Sequence, residues 1–125
     1  MGGFFIKNVQ SGKCVFEHVE FSFLLTWNCF DIQANFRFLQ LGSIMNLNTK
    51  DCISRGGYGI HLVPTNPNFN GGCGADNNIT QTFWGGLFFS RYNNCIVPTR
   101  GYGNSFYMDL ANCKNEEDQR FNFGK

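Results

Sequence analysis

The chain has few alanines, no long apolar run and almost no net charge. Only three of its 125 residues are alanine, whereas asparagine, glycine and phenylalanine are abundant. Because phenylalanine suits pleated, half-buried surfaces and asparagine and glycine suit tight turns, this composition predicts short strands and turns instead of helices. No apolar stretch approaches the roughly 18 residues that cross a bilayer, so membrane insertion is not expected. A formal net charge of +1 gives no electrostatic footprint for nucleic acid.

The residue groupings that catalysis requires are also missing. No nucleophile elbow, phosphate-binding loop or metal-binding motif is present in the sequence. His18 and His61 fall in different parts of the chain, and the six cysteines show no CxxC spacing. The acidic residues 116–118 are interpreted as a solvated turn. We therefore expect neither an enzyme nor a bound cofactor.

The chain does contain one short pattern three times. Residues 6–15, 44–53 and 87–96 each run from an apolar residue through a polar turn to a cysteine and an aliphatic residue. A second cysteine follows each copy, and a phenylalanine then closes the unit, at Phe36, Phe83 and Phe121; Gln81 and Gln119 stand two residues before the last two. Since one repeat buries its apolar face only against its copies, the pattern predicts a single domain. Its units are expected at about 1–41, 42–84 and 85–125.

Each unit is predicted to form four strands. Twelve short strands without intervening helices indicate an antiparallel barrel capped by hairpins. The closing phenylalanines are expected to lie in its core. The predicted strands are residues 4–8, 14–17, 23–28 and 35–39, then 43–47, 52–54, 59–63 and 82–84, then 87–90, 95–97, 106–110 and 120–123.

The cysteines bear on where the protein works. The repeat favours disulfides within each unit, which are Cys14–Cys29, Cys52–Cys73 and Cys95–Cys113. Each would contribute up to about 3 kcal/mol by restricting the unfolded chain. Such bridges would place the protein outside the reducing cytosol, so a secreted or extracellular location is expected, with no signal peptide within this chain. The alternative is six buried free thiols in a cytosolic protein.

This pattern resembles that of the ricin-type (R-type) β-trefoil lectins, whose hallmark is a Gln-x-Trp motif in each of three lobes. Residues 4–8 and 13–15 are most similar to the opening of the cysteine-rich domains of the mannose receptor family. The resemblance covers the whole chain and implies an all-β β-trefoil with pseudo-threefold symmetry. The chain departs from the family in two ways: phenylalanine replaces tryptophan in every motif, and Ala34 replaces the first glutamine.

The resemblance implies a lectin that binds a terminal sugar, either of the galactose or N-acetylgalactosamine type or a sulfated or acidic derivative. The family's pocket has an aspartate two residues after the first cysteine of a unit and an aromatic platform two residues before the second. The carboxylate accepts sugar hydroxyls, and the ring covers the apolar C–H face of the sugar. The aspartate is missing in all three units, where Phe16, Ser54 and Val97 replace it, and only Trp27 provides an aromatic platform.

Candidate sugar-binding residues therefore come from all three units. The expected partners are glycans or glycoproteins, and an oligomer or a place in a larger protein is left open. Because the aspartate is missing, the alternative is a non-catalytic protein–protein interaction module that resembles a cytokine, an inhibitor or a receptor and binds no sugar. The candidates are Trp27 and Glu17 in the first unit, His61 in the second, and Tyr102, Asn104, Tyr107 and Asp109 in the third.

Overall fold

Short antiparallel strands joined by turns make up the fold. The computed structural model describes residues 2–18, 22–55, 62–65, 72–101, 103 and 105–125. Within these ranges there are twelve strands and no α-helix. The strands are β1 (Phe5–Asn8), β2 (Cys14–Glu17), β3 (Phe23–Thr26), β4 (Phe36–Phe38), β5 (Ile44–Asn46), β6 (Cys52–Arg55), β7 (Leu62–Thr65), β8 (Ile79–Gln81), β9 (Leu87–Phe89), β10 (Asn94–Arg100), β11 (Phe106–Ala111) and β12 (Phe121–Gly124).

Equivalent contacts in the three units arrange these strands around a pseudo-threefold axis. The pairs β1–β12, β4–β5 and β8–β9 form a barrel, and the hairpins β2–β3, β6–β7 and β10–β11 cap it. This is the predicted β-trefoil with three four-strand units, and the prediction is confirmed. The hydrogen bonds that close the barrel run from Phe36 N to Phe4 O (2.8 Å), from Ile79 N to Gly42 O (3.0 Å) and from Phe121 N to Gly85 O (2.8 Å).

The core lies where the three units meet on the axis. Each unit contributes the aliphatic residue after its first cysteine and one large residue from its third strand. Burial of each such side chain stabilises the fold by about 1.5–3 kcal/mol. The six residues are Val15, Ile53, Ile96, Phe23, Leu62 and Met108.

The prediction from the sequence was wrong for one of the closing phenylalanines. Phe36 and Phe121 are fully buried, as predicted, but Phe83 is fully exposed. Strand β8 covers Ile79–Gln81 instead of residues 82–84, and Ile79 takes the buried position. Phe83 instead follows β8 in the turn that leads to β9.

The side-chain amide two residues before the buried Ile79 identifies the true motif of the second unit. A single-turn 3₁₀ helix precedes the last strand of every unit, at Ile32–Ala34, Ala75–Asn77 and Glu117–Gln119. The buried Asn77 donates from Nδ2 to Gly72 O at 2.7 Å, just as Gln119 donates from Nε2 to Asn112 O at 2.9 Å. The motif is therefore Asn77-Asn78-Ile79, and Gln81 is not its amide.

The three predicted disulfides are formed within the units. Their Cα–Cα distances are 5.3 Å for Cys14–Cys29, 5.4 Å for Cys52–Cys73 and 4.9 Å for Cys95–Cys113. Each joins the second strand of a unit, near its start, to the segment that follows the third strand. In the first unit this segment is the connector, residues 27–35, which links β3 to β4. No helix in the described ranges is long and apolar enough to span a membrane.

Candidate functional site

Trp27 lies on the outer surface at the start of the connector. Its side chain is 70% exposed. A Cβ placed on Gly12 would lie 3.6 Å from Trp27 Cζ3, and the Lys13 ammonium lies 5.4 Å from the ring centroid. The Cys14–Cys29 disulfide fixes the backbone nearby. Trp27 is thus supported by the β1–β2 turn while most of its surface remains open.

Hydrogen bonds between residues close in sequence hold the connector in a compact turn. Cys29 N donates to Trp27 O at 3.0 Å, and Asp31 N donates to Asn28 O at 3.2 Å. The Asp31 carboxylate accepts from Gln33 N at 3.0 Å and so caps the 3₁₀ turn Ile32–Ala34. An ionised carboxylate has about four acceptor sites, so exposed Asp31 keeps capacity for further donors.

Glu17 does not lie beside Trp27. In the β2–β3 hairpin Glu17 pairs with Phe23, whereas Trp27 follows Thr26, which pairs with Cys14. The two positions are therefore about 13 Å apart along the hairpin. The Glu17 side chain is only 5% exposed, and its Oε1 accepts from Thr49 Oγ1 at 3.1 Å. Glu17 thus belongs to the boundary between the first and second units.

Burial changes the acidity of Glu17. It is the main reason why the pKa of this carboxyl is raised from 4.5 to about 7. The hydrogen bond from Thr49 opposes the shift, and the charge of Asp51 adds to it. A neutral Glu17 is consequently stabilised at mildly acidic pH.

Glu17 is one member of a closed ring of hydrogen bonds, which we call the seam ring. Thr49 N donates to Asn46 Oδ1 at 3.2 Å, and Asn46 Nδ2 donates to Gln33 O at 3.0 Å. Gln33 Nε2 then donates to the backbone oxygen of Glu17 at 3.0 Å, and Thr49 closes the ring on the Glu17 carboxyl. The seam ring anchors the connector to the second unit and so fixes the base of the Trp27 surface.

Two candidates of the third unit lie together on β11. Tyr107 and Asp109 are two residues apart in this strand and therefore face the same side. The Tyr107 ring lies over Gly101, where a Cβ would overlap it. Asp109 Oδ1 accepts from Leu110 N at 2.7 Å.

Three predicted site residues, His61, Tyr102 and Asn104, lie outside the described residues. In the second unit, the Arg55 guanidinium lies 5.3 Å from the ring centroid of Tyr92, so this arginine packs on an aromatic ring. Among the described residues, no three His, Cys, Asp or Glu side chains come close enough to hold a metal ion.

Asp118 has a buried side-chain oxygen that the sequence analysis did not anticipate. The interpretation of residues 116–118 as solvated is wrong for Asp118, because its Oδ1 is buried and has no hydrogen-bond partner among the described residues. The equivalent residue of the first unit, Gln33, donates to the backbone of β2, but a carboxylate oxygen cannot donate. Buried oxygens without a partner are rare in folded proteins, which makes this atom unusual. Its place just before Gln119 of the motif is the sequence signal that identifies it.

Comparisons with known proteins agree with the fold. No protein-family model and no curated protein matches the sequence. The designed threefold-symmetric protein ThreeFoil matches with a TM-score of 0.80 and 8% identity, over 100% of this chain and 99% of that one. The fold is a β-trefoil.

Two natural proteins also share this β-trefoil. The C-terminal domain of an earthworm lectin, a mutant in complex with 6'-sialyllactose, has a TM-score of 0.75 and 12% identity, over 98% of this chain and 97% of that one. A non-toxic homologue of type II RIPs from bitter gourd (Momordica charantia), in complex with α-methyl-D-galactoside, has a TM-score of 0.78 and 14% identity. That match covers 98% of this chain but 47% of the other, so the β-trefoil spans about half of that protein. At these identities the matches show the fold, and the likeness to the mannose receptor family stays a prediction.

Proposed function

We propose that this β-trefoil is a non-catalytic domain that binds a glycan through the open surface of Trp27. The observation that carries the proposal is a tryptophan that is 70% exposed at the platform position and supported from behind by Gly12 and Lys13. Exposed aromatic surface is costly in water, and the C–H face of a sugar can cover it. The two natural β-trefoils described above, which were solved with sugar ligands, support this class of ligand.

The polar half of the site must differ from the family's pocket. Phe16 occupies the position of the missing aspartate and is buried. The Asp31 carboxylate, in the same turn as Trp27, is the nearest carboxylate along the chain that can accept from sugar hydroxyls. Lys13 adds a positive charge beside the ring, which favours a sulfated or acidic sugar over a neutral one.

The disulfides support an extracellular location for this binding. Three disulfides persist only where the surroundings are oxidising, which favours a secreted or extracellular protein. Glycans and glycoproteins on cell surfaces or in secretions are accordingly the proposed partners.

The test begins with a glycan array on the purified, oxidised domain and continues with calorimetric titration of the best glycan. Trp27→Ala should weaken binding about tenfold, which corresponds to about 1.4 kcal/mol. Trp27→Phe should retain part of the affinity because it keeps an aromatic face. Phe83→Ala is the matched control, since Phe83 is also exposed but lies far along the chain. Equal affinities for wild type and Trp27→Ala would contradict the proposal, and a selective loss in Asp109→Ala would move the site to the third unit.

A protein–protein interaction module is the second candidate function. The connector also exposes Phe30 and Ile32, at 86% and 64%, and exposed apolar residues of this kind occur at protein interfaces. A folded wild-type domain that binds no glycan on a multivalent array would favour this alternative.

A further inference from the structure

A pocket of about 220 Å³ lies beside the connector, and residues 29–32 of the connector line it. Phe5 and Phe30 form its corner, with ring centroids 5.6 Å apart and an interplanar angle of 84°. The Phe30 ring is 86% exposed, so it presents its face to a ligand. Phe5 is backed by Gly124, where a Cβ would overlap the Phe5 ring, so this wall of the pocket is fixed.

The rim of this pocket carries hydrogen-bonding groups. Asp31, Asn35 and Lys125 all line it. The carboxylate of Asp31 has acceptor capacity beyond its bond to Gln33 N, and the Asn35 side chain makes no hydrogen bond among the described residues. The side-chain charges of Asp31 and Lys125 are opposite and cancel. An aromatic corner with an amide and a carboxylate suits a neutral sugar ring, whose C–H face stacks while its hydroxyls donate and accept.

The pocket's size limits what can enter it. Pockets for drug-sized ligands have volumes of roughly 300–1,000 Å³, so the 220 Å³ here suits a single ring-sized group. Trp27 and Phe30 are three residues apart, so their Cα atoms are separated by at most about 11 Å. The hydrogen bond from Cys29 N to Trp27 O folds this segment back on itself. The backbone positions of Trp27 and Phe30 therefore lie within the reach of one short oligosaccharide.

From this geometry we infer that the Phe5–Phe30 pocket is a second saccharide subsite, which binds a neutral sugar residue next to the one on Trp27. The inference rests on the proposed function and deepens it: the ligand is an oligosaccharide instead of a single terminal sugar. The second contact becomes intramolecular once the first sugar is bound, so it adds affinity without a second association step.

Calorimetric titration with three probes tests the subsite: methyl α-D-galactoside, lactose and 6'-sialyllactose. Wild type should bind at least one of the two oligosaccharides about tenfold more tightly than the monosaccharide, a gain of about 1.4 kcal/mol. Phe30→Ala should remove this gain and leave the monosaccharide affinity unchanged, whereas Trp27→Ala should weaken all the probes that bind. Phe83→Ala, which removes another exposed ring, should change none of them.

Amide chemical shifts in ¹⁵N-labelled protein give a second readout that does not depend on affinity. The amides of Asn35 and Gly124 should shift with the oligosaccharide and not with the monosaccharide. Equal affinities for all probes, or an unchanged gain in Phe30→Ala, would overturn the subsite while the Trp27 proposal stands. Absence of binding to any probe and to a glycan array would overturn both.

Discussion

The stability of the protein should depend on the charge of Glu17 in the seam ring, and Glu17→Gln tests this dependence. Glutamine keeps an oxygen that can accept from the Thr49 hydroxyl, but it cannot ionise. In the wild type, burial holds the pKa of Glu17 at about 7 instead of 4.5. The two proteins should therefore differ in how their stability responds to pH.

The sign follows from proton binding. Between pH 4.5 and about 7 the folded protein binds more protons at Glu17 than the unfolded chain, so the free energy of unfolding falls as pH rises. The contribution of neutral Glu17 is complete below pH 4.5 and is lost as pH rises through about 7. A pKa shift of this size corresponds at most to about 3 kcal/mol. Thr49 at the edge of the ring is exposed, and screening by water there reduces the expected effect to about 1–2 kcal/mol.

Urea unfolding of both proteins under non-reducing conditions, from about pH 4 to about pH 8, measures the effect. The stability of Glu17→Gln relative to wild type should increase by about 1–2 kcal/mol across this range. Asp51→Asn should also reduce the loss of stability with rising pH, but by less than Glu17→Gln, because Asp51 contributes less than burial to the raised pKa of Glu17. Parallel profiles for wild type and Glu17→Gln would refute the reasoning.

Two further predictions concern the third unit and the corrected motif. Asp118→Asn should stabilise the ligand-free protein by about 1 kcal/mol in urea unfolding, because it removes the carboxylate from a buried position where one oxygen has no partner; a loss of stability would show that the oxygen is satisfied. Phe121→Ala should cost about 3–5 kcal/mol because it leaves a cavity in the core. Phe83→Ala should change stability by less than about 0.5 kcal/mol, and a cost similar to that of Phe121→Ala would contradict the exposed position of Phe83.

The repeat was enough to predict the architecture because each of the three units must meet the same structural requirement. Each unit must supply an aliphatic residue beside a bridged cysteine, and Val15, Ile53 and Ile96 do so. The closing motif of the second unit was missed because its residue types differ from the family pattern, although it has the same structural role. Asn77 provides the amide and Ile79 the buried apolar side chain, so a search for glutamine followed by an aromatic residue finds Gln81 instead.

The sites were harder to predict, because their contacts join residues that are distant in sequence. The resemblance to the lectin family pointed to Trp27, two residues before Cys29, and this side chain is exposed; its role as a platform stays a prediction. The burial of Glu17 depends on a turn in the next unit, where Thr49 meets its carboxyl, and no local pattern indicates that contact. Asp118 follows two exposed glutamates, and its 3₁₀ turn packs against β10 and β1, so the burial of its oxygen depends on other parts of the chain.

One position shows how the threefold backbone permits three different roles. Gln33, Asp76 and Asp118 each lie in the 3₁₀ turn that precedes the last strand of their unit. Gln33 donates to β2 within the seam ring, Asp76 is exposed, and Asp118 leaves a buried oxygen without a partner. The barrel constrains only the buried residue that follows this position, so the side chain before it can change without loss of the fold. The symmetry that specifies the fold therefore does not require symmetric binding, and one unit can carry an aromatic platform that the other two lack.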